Sequence, residues 1–470
     1  MTAQALQIHR NEQFQYPAKF VRQNFARFIA ELQDFIRIPS ISSDSFQALN
    51  CANWLANHLL GIGFEAVQIF STKGNPVVYG ELISDINLPT LLIYGHYDVV
   101  PTSPTNQWKF APFSATIHQN RIYGRGASDD KGQLFIHLKA IESILQTQGK
   151  LPINIKCVFE GEEEIGSTNF EQFVRENQNL LSADIAVVSD MDTISSTQPA
   201  LTYGMRGNLS AEIRLKTAEN NLHSGNFGGP IPNSILILAA LLTKIQGQSG
   251  QVLIPHFYDT IEKTTEIEKK YQQKFGKTNH QIQYDAKAFF LNQLQSFSAN
   301  EQISFLPSLT ITSFKGGFQG EGLQSIIPSQ AIAKLNFRLV AKQNPYEIAA
   351  LLRTFISEIC PKNVDITIFT SAHAFPYQIS TEHPAFRAAA LAYEIIFKKK
   401  PLFIKSGGTI PVLNIFKKNL KIETIMMGFG LPNDNKHAPN EYFELENLYK
   451  GILTSIVFIN NLKLKNHAHH

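Results

Sequence analysis

Cysteine is nearly absent from this chain of 470 residues. The three present, Cys51, Cys157 and Cys360, lie far apart and show no CxxC spacing. Neither a disulfide framework nor a thiolate zinc site is therefore encoded, and the three read as small buried hydrophobes. An excess of one charge is lacking too. Lys and Arg total 42 against 39 Asp and Glu, a formal balance of +3, which speaks against nucleic acid or an anionic membrane as partner. No apolar run approaches the roughly 18 residues that span a bilayer. The longest candidate, Ser234 to Thr243, reads as a buried helix. The first ten residues lack the charged-then-apolar pattern of a secretory signal, so residence in the cytoplasm is expected. His467, His469 and His470 read as a frayed terminus able to hold metal only adventitiously.

What the chain does have is apolar bulk. Hydrophobic residues make up 43%, with 34 Phe and 14 Tyr, enough for buried cores and too much for disorder. At about 150 residues per domain the length implies two to three domains. Phe25, Phe28, Ile29, Leu32, Phe35 and Ile36 fall at helical spacing before Pro39. Thr90 to Tyr94 reads as a buried strand, a helical pattern starts at Lys131, and Ile153 to Phe159 reads as the next strand. Strands alternating with helices predict an α/β fold with a mostly parallel sheet.

From about Asn208 the texture changes. Leu209 to Leu215 alternates like a half-exposed strand, Ile231 to Ile245 is helical, Phe257 to Phe297 reads as a long polar helical stretch, and Val364 to Thr370 is another strand. Near Glu382 the first texture resumes, with a helix from Ala385, a strand ending at Met427 and a last helix from Glu444. The expected organisation is a catalytic domain of residues 1–207 and 383–470, interrupted by an α+β domain of residues 208–382.

The chemistry gathers at strand ends, where open α/β sheets bind ligands. In Gly95-His96-Tyr97-Asp98, alternate residues of an extended segment face one way, so His96 and Asp98 can share a site. Asp98 suits the carboxylate that fixes the tautomer of a metal-bound imidazole. Gly124-Arg-Gly-Ala-Ser-Asp129-Asp130 places carboxylates in a glycine-rich turn before a helix. Glu160-Gly-Glu162-Glu163-Glu164 crowds four acids behind an apolar strand, and Asp190 follows the strand Ile185 to Val188. His437 sits in the 430–441 segment. Two His and several carboxylates without Cys form a nitrogen and oxygen ligand set for Zn²⁺ or Mn²⁺.

The order and wording of these five segments resemble the dinuclear metallopeptidases that include carnosine dipeptidases, aminoacylases, succinyl-diaminopimelate desuccinylase and glutamate carboxypeptidases. The carnosine dipeptidase type is the nearest in look. The resemblance runs from Ile36-Arg-Ile-Pro-Ser-Ile41 to the last helix. It implies two divalent cations per subunit, with His96 and Asp190 on one, Glu164 and His437 on the other, and Asp129 bridging them. It further implies Asp98 orienting His96, Glu163 as general base in amide hydrolysis, and a cis peptide at Asp129-Asp130.

The same resemblance makes the inserted domain a lid that forms a homodimer. There His223, in Asn221-Leu-His-Ser-Gly225, would stabilise the oxyanion in the opposite subunit. Ser325 and Arg338 would contact substrate, the guanidinium gripping a C-terminal carboxylate, with the Ser406-Gly407-Gly408-Thr409 loop beside it. One departure stands out, because carnosine dipeptidases usually carry Glu where this chain has Ser406. A dipeptidase is the first expectation. An N-acyl amino acid deacylase or carboxypeptidase-like amidohydrolase is the second, and a catalytically silent metal-binding dimer, against which Glu163 argues, is the third.

Overall fold

The computed structural model describes residues 12–292, 294 and 297–462; the terminal histidines and the first ten residues lie outside them. The described residues divide into two compact units, those up to 203, 379–404 and those from 411 on in one, and those of 204–378 and 405–410 in the other. The architecture is α/β with an inserted α+β unit.

The first unit is built on a sheet whose order runs Ala66–Phe70, Val77–Leu82, Asn154–Glu160, Thr90–His96, Ile185–Val188, Thr424–Met427, then Ala200–Met205. The four central strands pair in parallel, while those flanking them run antiparallel. Ile185–Val188 is a fully buried apolar run, and Asn154–Glu160 is buried except at Lys156, as expected of central strands covered on both faces. The helix Lys131–Gln148 is buried along most of its length, from Lys131 to Ile144. Its first residue is a buried lysine whose Nζ donates to the carbonyls of Phe35 (3.1 Å) and Ile38 (2.6 Å). Those carbonyls lie in the last turn of the helix Glu12–Arg37 and just beyond it, so the ammonium meets the negative end of the helix dipole.

The second unit holds a four-stranded antiparallel sheet ordered Ser308–Gly316, Gln330–Leu339, Gly207–Lys216, Asp365–Ala374. The alternation seen in sequence becomes its buried face: Leu209, Ile213 and Leu215 pack with Leu335 and Phe337 against the helices Ser234–Ile245 and Pro345–Ile359. The long helical stretch expected from Phe257 to Phe297 is not formed as one helix. Glu266–Phe275 and Asn279–Asp285 are separate helices, each opened by its own capping box, at Thr265 and Thr278. Gly276 ends the first and leaves three residues between them, so capping chemistry overrides the helical period.

Cys51 and Cys157 are buried and Cys360 is half-buried, all as free thiols. Among the described residues no helix is long and apolar enough to cross a membrane.

The Asp130 to Lys131 turn into the central helix depends on one close approach. A Cβ on Gly132 would lie 2.0 Å from the Ala127 carbonyl oxygen and 2.9 Å from the Phe443 ring. Backbone cannot give way there as a side chain can. Gly132→Ala is expected to cost about 3 kcal/mol or more, read as a lower denaturation midpoint in urea with unchanged slope.

Candidate metal centre

Except for Asp129, each acidic or imidazole side chain of the centre sits at the carboxyl end of a parallel strand or in the loop that follows it. His96 ends its strand, Glu163 and Glu164 follow Asn154–Glu160, Asp190 follows Ile185–Val188, and His437 lies beyond Thr424–Met427. Asp129 enters from the glycine-rich turn, and its peptide bond to Asp130 is cis. All belong to the first unit.

Two clusters result, His96 with Asp129 and Asp190, and Asp129 with Glu164 and His437, each with ligand atoms within 4.8 Å of one another. The two oxygens of Asp129 are divided between them. Oδ1 lies 3.1 Å from His96 Nε2, and Oδ2 lies 3.0 Å from His437 Nε2. His437 Nε2 is also 3.1 Å from Glu164 Oε1, and His96 Nε2 is 3.9 Å from Asp190 Oδ2. Donors around one divalent ion stand apart by such distances, given bond lengths of about 2.0–2.2 Å.

The electrostatics point the same way. Burial works against charge on Asp129, yet hydrogen bonds from His437 and His96 hold its carboxyl well below the usual range. Asp190 is pushed up to about 8 by burial and by the charge of Asp129. Glu163 is raised well above its ordinary value, first by burial, with Asp190, Glu164 and Asp129 adding repulsion that His96 only partly offsets. Hydrogen bonds to Asp129 and Glu164 push His437 up to about 10. Protons on imidazoles are here compensating carboxylates that cations would otherwise neutralise.

Asp98 does more than face His96. His96 Nδ1 is 3.1 Å from the Asp98 main-chain oxygen and 3.4 Å from its carboxylate, which leaves Nε2 for a metal. The carboxylate accepts the Ser42 hydroxyl (2.7 Å) and the N–H groups of Glu163 and Glu164 (3.2 Å each). One buried acid thus fixes a ligand from one strand and the acidic turn of the next.

Sequence reasoning assigned no role to Glu441. This buried carboxylate accepts from Arg125 Nη1 (2.7 Å) and from the N–H groups of Gly126 (3.0 Å), Ser128 (2.9 Å) and Asp129 (3.1 Å). It locks the turn that carries Asp129 to the loop that carries His437. Its signal was an acid four residues past a candidate ligand. Lys436 was missed as well: Nζ lies 3.1 Å from Asp192 and 3.9 Å from Asp190 Oδ1, the oxygen turned away from His96.

The remaining expected residues belong to the second unit. His223 pairs with Ile326 across a two-residue ladder, and Ser224 N–H donates to the Ser325 carbonyl (2.9 Å), so His223 and Ser325 are neighbours. The exposed His223 ring accepts from Gly225 N–H at Nδ1 (3.1 Å), which puts the proton of the neutral ring on Nε2. Arg338 Nη1 donates to Thr409 Oγ1 (2.9 Å), and Ser406 Oγ accepts from Gly408 N–H (3.2 Å). A cavity of about 370 Å³ in the same unit is bordered by Arg206, Phe305, Lys405 and Ser406.

The chain is similar over most of its length to proteins of known type. A profile of peptidase family M20/M25/M40 matches residues 92–461. Mouse Beta-Ala-His dipeptidase is 30% identical over 471 residues, covering 95% of this chain and 94% of that protein. The Cys-Gly metallodipeptidase DUG1 of Candida albicans is 30% identical over 464 residues, covering 91% and 93%. The structure of an M20 family metallo-carboxypeptidase, Sso-CP2 from Sulfolobus solfataricus, superposes with a TM-score of 0.82 at 32% identity, covering 93% of this chain and 99% of that one.

Because His437 is pushed up to about 10, the metal-free centre holds that proton at pH 7, and a metal ion must displace it. Titration calorimetry with Zn²⁺ or Mn²⁺ is expected to give two ions per chain and net proton release in buffers of different ionisation heat. Affinity should fall about tenfold per pH unit on acidification for each proton displaced. Asp129→Asn should weaken both sites.

Proposed function

The chain belongs to peptidase family M20/M25/M40, and from that premise we propose that it is a cytoplasmic dipeptidase cleaving the amide bond of a small dipeptide, with Zn²⁺ the first choice of metal and Mn²⁺ the second. Metal-dependent hydrolysis of small peptides is the activity of this enzyme. The observation that carries the dinuclear reading is the division of the Asp129 oxygens between two His-containing clusters.

When bound, divalent cations polarise a carbonyl and lower the pKa of water. The protein's own groups do the rest. His96, Asp129 and Asp190 would hold one ion, and Asp129, Glu164 and His437 the other. Glu163 is the general base. Its backbone N–H is anchored on Asp98, and a carboxyl raised by burial is suited to take a proton from water and keep it until the leaving nitrogen needs it.

His223 supplies an Nε2–H donor for the oxyanion, in the site of the opposite subunit of a homodimer formed by the inserted unit. That unit acts as the lid, for which we retain residues 208–382 as the functional extent. Arg338 holds the substrate's C-terminal carboxylate, with Ser325, Ser406, Gly407, Gly408 and Thr409 completing its surroundings. Ser406 favours a second reading. An acid at that position would face a free amine, and its absence suits an N-acyl amino acid deacylase or a carboxypeptidase-like enzyme. Mouse Beta-Ala-His dipeptidase and the fungal Cys-Gly metallodipeptidase support the first reading.

Glu163→Gln is expected to bind two ions as the parent does while losing hydrolysis by about two to four orders of magnitude. Glu163→Gln and His223→Ala subunits, each inactive alone, should recover activity when mixed, since one composite site then keeps both groups. No recovery in verified heterodimers removes the trans role of His223.

A further inference from the structure

Arg206 is a cation that neither the motifs nor the metal centre explains. It stands at the start of the second unit, and its main-chain N–H, its carbonyl and its Nε all bond residues 407–409 of the same unit. Its main-chain N–H donates to the Gly408 carbonyl (3.1 Å), and its Nε donates to the Gly407 carbonyl (3.1 Å). Its own carbonyl accepts the Thr409 hydroxyl proton (2.6 Å). Longer contacts from Nη1 reach the Leu306 carbonyl (3.4 Å) and Ser308 Oγ (3.5 Å).

The Thr409 hydrogen bond sets a direction. With its proton committed to Arg206, the Thr409 hydroxyl can only accept from Arg338 Nη1, at 2.9 Å. That contact turns the Arg338 fork and leaves its other N–H groups for a carboxylate. We propose that Arg206 is a positioning residue of the carboxylate subsite, holding the Gly407-Gly408-Thr409 loop so that Thr409 aims Arg338 at the substrate's terminal carboxylate. This rests on the reading of Arg338 and Thr409 given above.

Two further observations bear on it. A Cβ on Gly407 would lie 3.0 Å from Arg206 Nη2 and 3.2 Å from the Ile303 carbonyl, so a side chain at 407 would collide with the guanidinium. The close approach of Arg206 thus favours glycine at 407. Second, the Arg206 guanidinium has no carboxylate among its hydrogen-bond partners in the described residues. Burial, with the neighbouring charge of Arg338, pushes it down to about 10. Two partly buried guanidiniums side by side repel one another, and an arriving carboxylate relieves both.

The test compares a cleaved dipeptide with its C-terminal carboxamide. Arg206→Met is expected to raise KM for the acid about tenfold or more with kcat within twofold, and to leave KM for the amide nearly unchanged. The double variant with Thr409→Val should be no worse than Arg206→Met alone, because both break one chain of contacts. Arg206→Lys keeps the charge without the planar fork and should not restore KM. Equal effects on acid and amide, additive effects in the double variant, or full rescue by Lys would overturn the proposal. If Arg206→Met does not fold, Gly407→Ala should give the same acid-selective rise by displacing the guanidinium. If the wild type cleaves no dipeptide, the functional reading fails by itself. Calorimetric binding of N-acetylalanine against its amide then decides: a preference for the acid that Arg206→Met removes supports the clamp, and no preference in the wild type refutes it.

Discussion

The interaction on which this structure turns is the sharing of one buried carboxylate, Asp129, between His96 on one side and His437 on the other. Around it stand Glu163, Glu164, Asp190 and Asp130, more negative charge than a desolvated pocket tolerates unaided. A neutral core would have been cheaper to build. The arrangement persists because the strands and turns that carry these acids leave them no other place to go, and cations or protons must complete it.

That constraint explains how the surrounding loops are held. Glu441 ties Arg125 and the N–H groups of Gly126, Ser128 and Asp129 into one buried knot, both charged side chains being 1% exposed. Gln133 donates to the Ser128 carbonyl (2.9 Å) and accepts from Phe429 N–H (2.8 Å), adding a second tie between the same two loops. Asp98 performs the corresponding task between His96 and the Glu163-Glu164 turn. Ligand positions are thus set by hydrogen bonds to main chain, which are short and directional and resist the repulsion among the acids.

Much of this was legible in the chain itself. Apolar runs ending in His96, Glu160 and Val188 marked buried strands, and acids directly after them marked a site at the strand ends. Alternation from Leu209 to Leu215 marked one face of the second sheet. What stayed hidden was long-range or local in ways periodicity does not register. Arg125 and Glu441 meet across 316 positions, and no pattern in either segment names the other. The capping boxes at Thr265 and Thr278 break a stretch whose composition reads as one helix. The short segment 405–410 groups with the inserted unit through contacts such as those of Arg206, which only folding reveals. The sequence places Asp98 beside His96, and the bonds its carboxylate also accepts from the main chain of Glu163 and Glu164 have no counterpart in the local pattern.

The most direct measurement is hydrolysis by the purified protein, loaded separately with Zn²⁺ and Mn²⁺, of free dipeptides and of the same dipeptides acylated at the amine, with a chelated control. The account predicts metal-dependent cleavage that the chelator abolishes, with the free dipeptides preferred. Preference for the acylated series would assign the enzyme to the deacylase or carboxypeptidase-like reading that Ser406 favours. No cleavage of either series by protein carrying two ions per chain would contradict the account at its centre.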